Sequence, residues 1–297
     1  MKLTRGDKTF ISLIYFFLIL LLFAAFYPFW NALAISLNSG TDTAHGGVTF
    51  WPRDFTFDNY LFVLKNDALL HGFMISVIRV AAGTVLSLFF TGLFAYAMSK
   101  KILIGRKAIM IYCIFTMVFS GGLIPAFIVN RNLGLMDNFW VMIIPSIVSV
   151  WNMIVFRTFF EELPPEMEES AKMDGCGYFG TFFRVILPLS KPVFATLGLF
   201  TAVYHWNDWF TASIYINNQN LKPIQTILQQ VLSSTVMMEQ MVNSNASAQE
   251  FMQRTRSVTN KSITMTTMIV ATLPIVCVYP FLQKYFVKGV MIGAVKG

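Results

Sequence analysis

The densest group of side chains that could do chemistry lies in one short apolar stretch. Six consecutive residues form it: Tyr204, His205, Trp206, Asn207, Asp208 and Trp209. Aromatic rings can stack on the apolar faces of sugars, while amide and carboxyl groups can exchange hydrogen bonds with sugar hydroxyls. The same residue types also suit an interfacial belt of Trp and Tyr with hydrogen bonds between helices. The stretch therefore predicts either a substrate pathway or a membrane interface, and the residues alone leave both interpretations open.

Signals for catalysis are missing from the sequence. It contains no Gly-x-x-x-x-Gly-Lys phosphate loop, so we expect the chain itself not to hydrolyse ATP. We predict no catalytic residue and no metal site. Arg79 is a separate case, because it lies inside an apolar run, where an ionisable side chain is costly and needs a partner or a cavity. We predict that Arg79 makes a structural pair rather than binding substrate.

The elements that carry these residues must be membrane helices. The chain has 297 residues, of which 56% are hydrophobic and 12% are charged, whereas soluble domains carry about 25% charged residues. A bilayer core needs roughly 20 apolar residues in helical form. Uninterrupted apolar runs without period-two alternation predict helices and not a barrel. The sequence therefore predicts an all-α integral membrane protein with six transmembrane helices, at 10–37, 72–98, 108–129, 139–159, 193–216 and 263–286.

Lys and Arg predict the orientation of these spans. With the N-terminus in the cytoplasm, the inner segments hold about twice as many Lys and Arg residues as the outer ones. Both chain ends are then expected in the cytoplasm of a multi-pass protein in a bacterial inner (plasma) membrane. This bias explains the net charge of +7 without a nucleic-acid partner. Two long outer loops, 38–71 and 217–262, and one long inner loop, 160–192, connect the predicted spans of this single domain.

The inner loop 160–192 has the pattern of a short helix, a glycine turn and a second short helix. Pro165 and the acidic residues after it suit a helix N-terminus. Gly175 and Gly177 permit a sharp reversal, because glycine accepts a positive φ at little cost. Apolar residues recur at helical spacing from Phe179 to Ile186, and Pro188 is expected to end the second helix. The loop could lie on the inner leaflet or dock onto another protein, and its composition favours neither.

The spacing within this loop resembles a known family motif. Glu169-Ser170-Ala171 is followed by Asp174-Gly175 and then by Val185-Ile186-Leu187-Pro188. This resembles the Glu-Ala-Ala motif in the cytoplasmic coupling loop of ABC importer permeases, with Ser170 in place of the first Ala and Val185 in place of Ile. The resemblance implies a type I ABC importer permease fold. It also implies that eight residues couple the chain to an ATPase: Glu168, Glu169, Ser170, Ala171, Asp174, Gly175, Leu187 and Pro188.

Further segments resemble the maltose-type, carbohydrate-uptake permeases. They are Gly121–Pro125, Trp206-Asn207-Asp208 and the C-terminal tail from Tyr279 to Gly297. In detail, the chain is most similar to the subgroup that imports complex oligosaccharides, including uronate-containing ones. The resemblance implies that the last part of this tail, from Gly289 to Gly297, lies near the ATPase interface. The alternative for this tail is a solvated terminus.

The resemblance also implies a set of partners. They are a second homologous permease, two ATPase subunits that bind ATP and Mg, a solute-binding protein outside the cell, the lipid bilayer and an oligosaccharide. The outer loop 217–262, with a helix predicted over 224–241, is expected to dock the binding protein. Two other functions stay open: an ABC permease for a non-sugar solute, and an ion-coupled secondary transporter, which would need a coupling-ion site.

Overall fold

The structure, a computed structural model, describes the backbone of residues 5–244 and 259–294, and the side chains of residues 6–234, 259 and 261–278. The first half of the chain is helical in long and short pieces. Its helices are α1 (Arg5–Ser36), α2 (Gly40–Ala44), α3 (Asp58–Lys65), α4 (Asp67–Ser99), α5 (Arg106–Val118) and α6 (Leu123–Asn132). Between Asn38 and Phe55 there is one isolated antiparallel bridge in the described part of the chain.

The second half continues with shorter helices before a long final one. Two 3₁₀ turns, Phe139–Met142 and Ile144–Ser146, lead into α7 (Val150–Glu162) and α8 (Pro165–Met173). Next come α9 (Tyr178–Thr181), a π-helical turn (Phe182–Ile186) and α10 (Leu187–Leu189). The last helices are α11 (Lys191–Asn207), α12 (Phe210–Tyr215), α13 (Ile224–Ser244) and α14 (Asn260–Ala294), with a 3₁₀ turn at Gln219–Leu221 before α13.

Among the described residues, three uninterrupted helical segments are long and apolar enough to cross a membrane: Gly6–Ser36, Asp67–Ser99 and Lys261–Val278. They coincide with the first, second and sixth predicted spans. Three further bent pairs of helices pass the same test of length and composition, which gives up to six spans if each pair is counted as one. The first of these pairs combines α5 and α6, the second joins the 3₁₀ turns to α7, and the third joins Tyr178–Leu189 to α11.

The prediction of one continuous helix over 108–129 is wrong. The helix α5 ends at Val118, and α6 leaves at an angle of 115° to it. Gly122 has a φ of +88°, a backbone conformation that residues with a Cβ atom rarely adopt. The predicted helices 139–159 and 193–216 are interrupted as well. The first begins as 3₁₀ turns around Pro145, and the second breaks at Asp208, which separates α11 from α12.

The helices fall into two compact units. One comprises Met1–Leu70 and Leu228–Leu273, and the other comprises His71–Ile227 and Pro274–Gly297, each as far as it is described. In the second unit, a core of apolar side chains joins the C-terminal half of α4 to α7, the π-helical turn and α11. Its fully buried members include Met98, Phe156, Phe182, Ile186 and Leu197. Leu163 and Leu187 of the segment 160–192 pack against this core.

In the first unit, the segment after α1 is organised by one buried asparagine. The Oδ1 atom of Asn38 accepts from the backbone N–H groups of Arg53 and Asp54, at 2.8 and 2.9 Å. Its Nδ2 donates to an Asp42 carboxylate oxygen at 2.8 Å. The Arg53 Nε atom lies 3.0 Å from the same oxygen. Polar contacts therefore order the first part of the predicted outer loop 38–71, from residue 38 to residue 54.

Candidate functional site

The end of α11 forms one wall of an open groove. Four of the six residues singled out by sequence line it, namely Tyr204, Asn207, Asp208 and Trp209. Phe200, Val203 and Phe210 complete a cavity of about 480 Å³. The groove thus combines aromatic rings with an amide and a carboxylate on a mainly apolar surface. This arrangement can stack on a flat apolar face while holding polar groups at defined positions.

The other two residues of the cluster point away from the groove. His205 is 2% exposed and Trp206 is 7% exposed. The Trp206 ring packs edge-on against Phe73, with ring centroids 5.6 Å apart. The His205 ring lies over Gly83, where a Cβ atom would come within 2.6 Å of Nε2. Both residues hold α11 against α4, so the structure does not bring them into contact with the groove.

Asp208 sits at the break between α11 and α12 and is held by Arg79 of α4. The Nη1 atom of Arg79 donates to the backbone oxygen of Asp208 at 2.6 Å, and Nη2 forms an ion pair with its carboxylate. Thr211 N–H donates to the other carboxylate oxygen at 3.1 Å, which fixes the first turn of α12. The Arg79 side chain is fully buried. The structure confirms the predicted structural pairing of Arg79, and it shows that Asp208 shapes the groove as well as lining it.

The segment 160–192 has the predicted helix, turn and helix. Pro165 is the first residue of α8, as expected. After α8, Gly175 N–H donates to the Lys172 oxygen at 3.0 Å, and Cys176 N–H donates to the Ala171 oxygen at 2.9 Å. These two bonds are a Schellman motif, which requires a left-handed residue at the position of Gly175. Gly175 has a φ of +78°. We call Pro165–Leu189 the coupling element, after the role that the family resemblance implies for it.

The two faces of the coupling element differ. Ala171, Phe182 and Ile186 are buried in the unit's core, whereas Met173 and Phe179 are 88% and 71% exposed. The apolar residues that recur from Phe179 to Ile186 are therefore divided between the two faces, with Phe182 and Ile186 buried and Phe179 exposed. Glu169, Ser170, Asp174, Gly175 and Pro188 are exposed, while Glu168 and Leu187 are half-buried. The second helix ends at Leu189, one residue after Pro188, and the chain then turns by 84° into α11.

An ion pair attaches the coupling element to the end of α4. The Nζ atom of Lys100 pairs with the Glu168 carboxylate and lies 4.1 Å from the ring centroid of Tyr96. Burial lowers the pKa of Lys100, and the hydrogen bond to Glu168 opposes that shift. Next to this pair, Glu161 of α7 binds both Arg106 and Arg157. The sequence analysis did not identify Lys100, whose partner lies far along the chain.

The comparison with known proteins bears on both regions. Residues 83–292 match the family described as "Binding-protein-dependent transport system inner membrane component". The chain belongs to this family. It is 37% identical over 291 residues to the "Polygalacturonan/rhamnogalacturonan transport system permease protein YtcP" of Bacillus subtilis (strain 168), with 98% of this chain and 99% of the relative covered. It is 40% identical over 270 residues to "Protein LplC" of the same organism, with 91% and 89% covered.

A solved structure is similar over nearly the whole chain. It is a chain of a bacterial ABC transporter involved in the import of the acidic polysaccharide alginate. The TM-score is 0.86 at 28% sequence identity, and 96% of this chain and 99% of that chain are covered. The predicted type I ABC importer permease fold is thus confirmed. The chain is the membrane component of an ABC importer and not its catalytic subunit, so the secondary-transporter interpretation is wrong.

Proposed function

We propose that this chain forms half of the translocation pathway for an oligosaccharide, with uronate-containing oligosaccharides as the substrate class. The observation that carries the proposal is the groove at the end of α11. It presents Tyr204 and Trp209 beside Asn207 and Asp208, and rings next to hydrogen-bonding groups suit sugar faces and hydroxyls. Relatives named for polygalacturonan/rhamnogalacturonan transport and for alginate import support the same class.

The groove itself can be tested by removing its rings. In a reconstituted importer, we expect Tyr204→Ala and Trp209→Ala each to reduce the uptake of a radiolabelled oligogalacturonide about fivefold, because each variant removes a stacking surface worth roughly 1 kcal/mol. Tyr112→Ala is the matched control, since Tyr112 is an exposed ring of α5 outside the groove. Normal uptake by both groove variants would contradict the proposal. Uptake of an amino acid or peptide instead of any oligosaccharide would favour the non-sugar permease.

The partners follow from the transport system. A binding-protein-dependent ABC system needs a solute-binding protein and an ATPase. Our proposal adds a second homologous permease and two ATPase subunits, which bind ATP and Mg while this chain binds no cofactor. The purified chain should then show only background ATP turnover. Turnover that persists after contaminating ATPases have been excluded would contradict this division of labour.

We assign the ATPase contact to the coupling element. Its exposed face carries Met173 and Phe179 beside acidic side chains, and Met and aromatic residues are enriched where one protein docks onto another. The eight motif residues from Glu168 to Pro188 belong to this element. Ala171 is the buried one among them, so it can support the contact surface but does not form part of it. The tail Gly289–Gly297 is proposed to lie near the same interface, and its residues 295–297 fall outside the described part of the chain.

Six spans with both chain ends in the cytoplasm complete the proposal. Cysteine labelling can test this orientation in a background from which the three native cysteines have been removed. Glu162→Cys should react with a membrane-impermeant maleimide only after the membrane is opened, whereas Asp54→Cys should react in intact cells. The opposite pattern would reverse the orientation.

The outer loop 217–262 is proposed as the docking element for the binding protein. The helix predicted over 224–241 is present as α13, and residues 245–258 lie outside the described part of the chain. Shortening the segment from Met238 to Arg254 should leave assembly intact but reduce the stimulation of ATP hydrolysis by the loaded binding protein. Full stimulation by the shortened protein would remove this role.

A further inference from the structure

The helix α4 connects the groove with the coupling element. Arg79 of α4 binds Asp208 at the groove, and Lys100, which follows the other end of α4, binds Glu168 of the coupling element. At a rise of 1.5 Å per residue, the two basic residues are about 30 Å apart along the helix axis. The same helix therefore has an ionic attachment at the groove and another at the coupling element.

Between these attachments, α4 and α11 are packed closely along a line of small residues. A Cβ atom on Gly83 would lie 2.6 Å from the His205 ring, and one on Gly92 would lie 3.0 Å from Phe194. From the other side, a Cβ on Gly198 would lie 3.1 Å from Leu88. We call Gly83, Gly92 and Gly198 the glycine seam. Helices that approach this closely move together, because a close-packed interface shifts between discrete arrangements rather than deforming.

The chain bends sharply between the coupling element and α11, the helix that carries the groove. The chain turns by 84° between Tyr178–Leu189 and α11. A bend in the chain transmits a movement of the coupling element to α11 poorly unless another contact also connects the two. The Lys100–Glu168 pair connects the coupling element to α4, and the Tyr96 ring beside it packs on Phe182 with ring centroids 5.4 Å apart. The pair is largely shielded, with side-chain exposures of 18% and 17%, so salt screens it less than a surface pair.

We propose that α4 is a second link in energy coupling. It moves with the coupling element through Lys100 and Glu168, and it sets the geometry of the groove through Arg79 and Asp208. Lys100 and Arg79 are positioning residues in this scheme and need no contact with substrate or ATPase. The inference rests on the proposed function, because it concerns communication between the proposed ATPase contact and the proposed substrate groove.

The experiment uses the complete importer in nanodiscs, with the partner permease, the ATPase and the sugar-loaded binding protein. It measures basal ATP hydrolysis, its stimulation by the loaded binding protein, and co-purification of the ATPase. For Lys100→Glu we expect at least a tenfold loss of stimulation, while basal hydrolysis and co-purification stay normal. Lys100→Arg should keep stimulation within twofold of the wild type, because Arg can still pair with Glu168. Lys101→Glu is the matched control, as it makes the same charge change at the exposed neighbour.

A mutant cycle tests whether both ends act on one route. Arg79→Lys keeps the charge but cannot reproduce the paired guanidinium contacts to Asp208. If α4 is one link, the double variant Arg79→Lys/Lys100→Glu should lose no more stimulation than the worse single variant. Losses that multiply in the double variant would overturn the proposal. So would full stimulation in Lys100→Glu, an equal loss in Lys101→Glu, or a loss of ATPase co-purification in Lys100→Glu.

The wild-type complex separates this inference from the proposed function. If no oligosaccharide-loaded binding protein stimulates the wild type, the proposed function fails, and the cycle is then run with the solute that does stimulate it. If the wild type responds and the Lys100 variants respond equally well, the second link fails while the proposed function stands.

Discussion

Hydrogen bonds hold both the turn in the coupling element and the break at the groove, but the bonded residues are close in sequence at the turn and far apart at the break. At Gly175, the hydrogen bonds that shape the turn join residues three to five positions apart. At Asp208, the bonds come from Arg79, which precedes it by 129 positions. The first structure can form from its own sequence, whereas the second requires two helices to pack first. The geometry of the groove therefore depends on Arg79, a residue that does not line it.

We expect the largest loss of stability when the long-range contact is removed by replacing Arg79. Arg79→Met leaves the Asp208 carboxylate buried without its partner, and breaking a buried ion pair in this way costs about 3–5 kcal/mol. We expect a matching loss of thermal stability in detergent and a low membrane yield. The double variant Arg79→Met/Asp208→Leu should recover most of that stability, because two apolar side chains leave no buried charge. A stable single variant would show that the break at Asp208 does not depend on α4.

A smaller effect is expected at the glycine seam. Gly83→Ala places a Cβ 2.6 Å from the His205 ring, and overpacking of this kind costs about 1–3 kcal/mol. The unfolding temperature of the purified chain measures it. Adding His205→Ala should relieve the clash. Gly180→Ala is the control, since its Cβ would meet Cys176 at an ordinary 3.5 Å. Equal unfolding temperatures for Gly83→Ala and the control would place the two helices farther apart than the structure does.

The local turn should be broken by backbone strain alone. A Cβ on Gly175 would meet nothing within 4 Å, so the cost of Gly175→Val comes from its φ of +78° and amounts to about 1–2 kcal/mol. We expect normal insertion, but failed uptake and poor co-purification of the ATPase. Gly175→Asn should retain most activity, because Asn tolerates the left-handed conformation. Wild-type uptake by Gly175→Val would remove the coupling role from this turn.

We expect the smallest change in stability in the polar segment after α1, where the contacts of Asp42 join residues at intermediate separations in the sequence. The hydrogen bond from Asn38 lowers the pKa of Asp42, and Arg53 adds to the shift. Because the folded-state pKa lies below the ordinary value of 3.8, this carboxylate stabilises the fold above that pH. The contribution is lost as the pH falls through the folded-state pKa. Wild type should exceed Asp42→Asn in unfolding temperature near neutral pH, and the difference should shrink in acid. A constant difference would rule out ionisation as its cause.

Local signals in the sequence predicted much of this molecule. Pro165 and Gly175 identified the helix and the turn of the coupling element, and apolar runs located the long helices α1, α4 and α14. The interruptions were less accessible. Gly121 and Gly122 were noted only as part of a family resemblance, although a pair of glycines inside an apolar run is a physical signal for a break.

The groove was predicted in composition but not in orientation. Tyr204 and Trp209 line it as expected, whereas His205 and Trp206 face α4. The direction of each side chain depends on where α4 packs, and the sequence of α11 does not contain that information. For the same reason, the sequence suggested that Arg79 needs a partner without identifying Asp208.

The separation of Arg79 from Asp208 also sets an order of events during synthesis. Ribosomes add about 5–20 residues per second, so about 6 to 26 s pass before the carboxylate, 129 positions later, has been made. Throughout that interval the nascent α4 carries an arginine whose insertion at a helix centre costs about 2.5–3.5 kcal/mol. Its many apolar residues must hold it in the bilayer until α11 arrives. The nascent chain therefore carries this insertion cost without the Asp208 carboxylate until the fifth predicted span has been made.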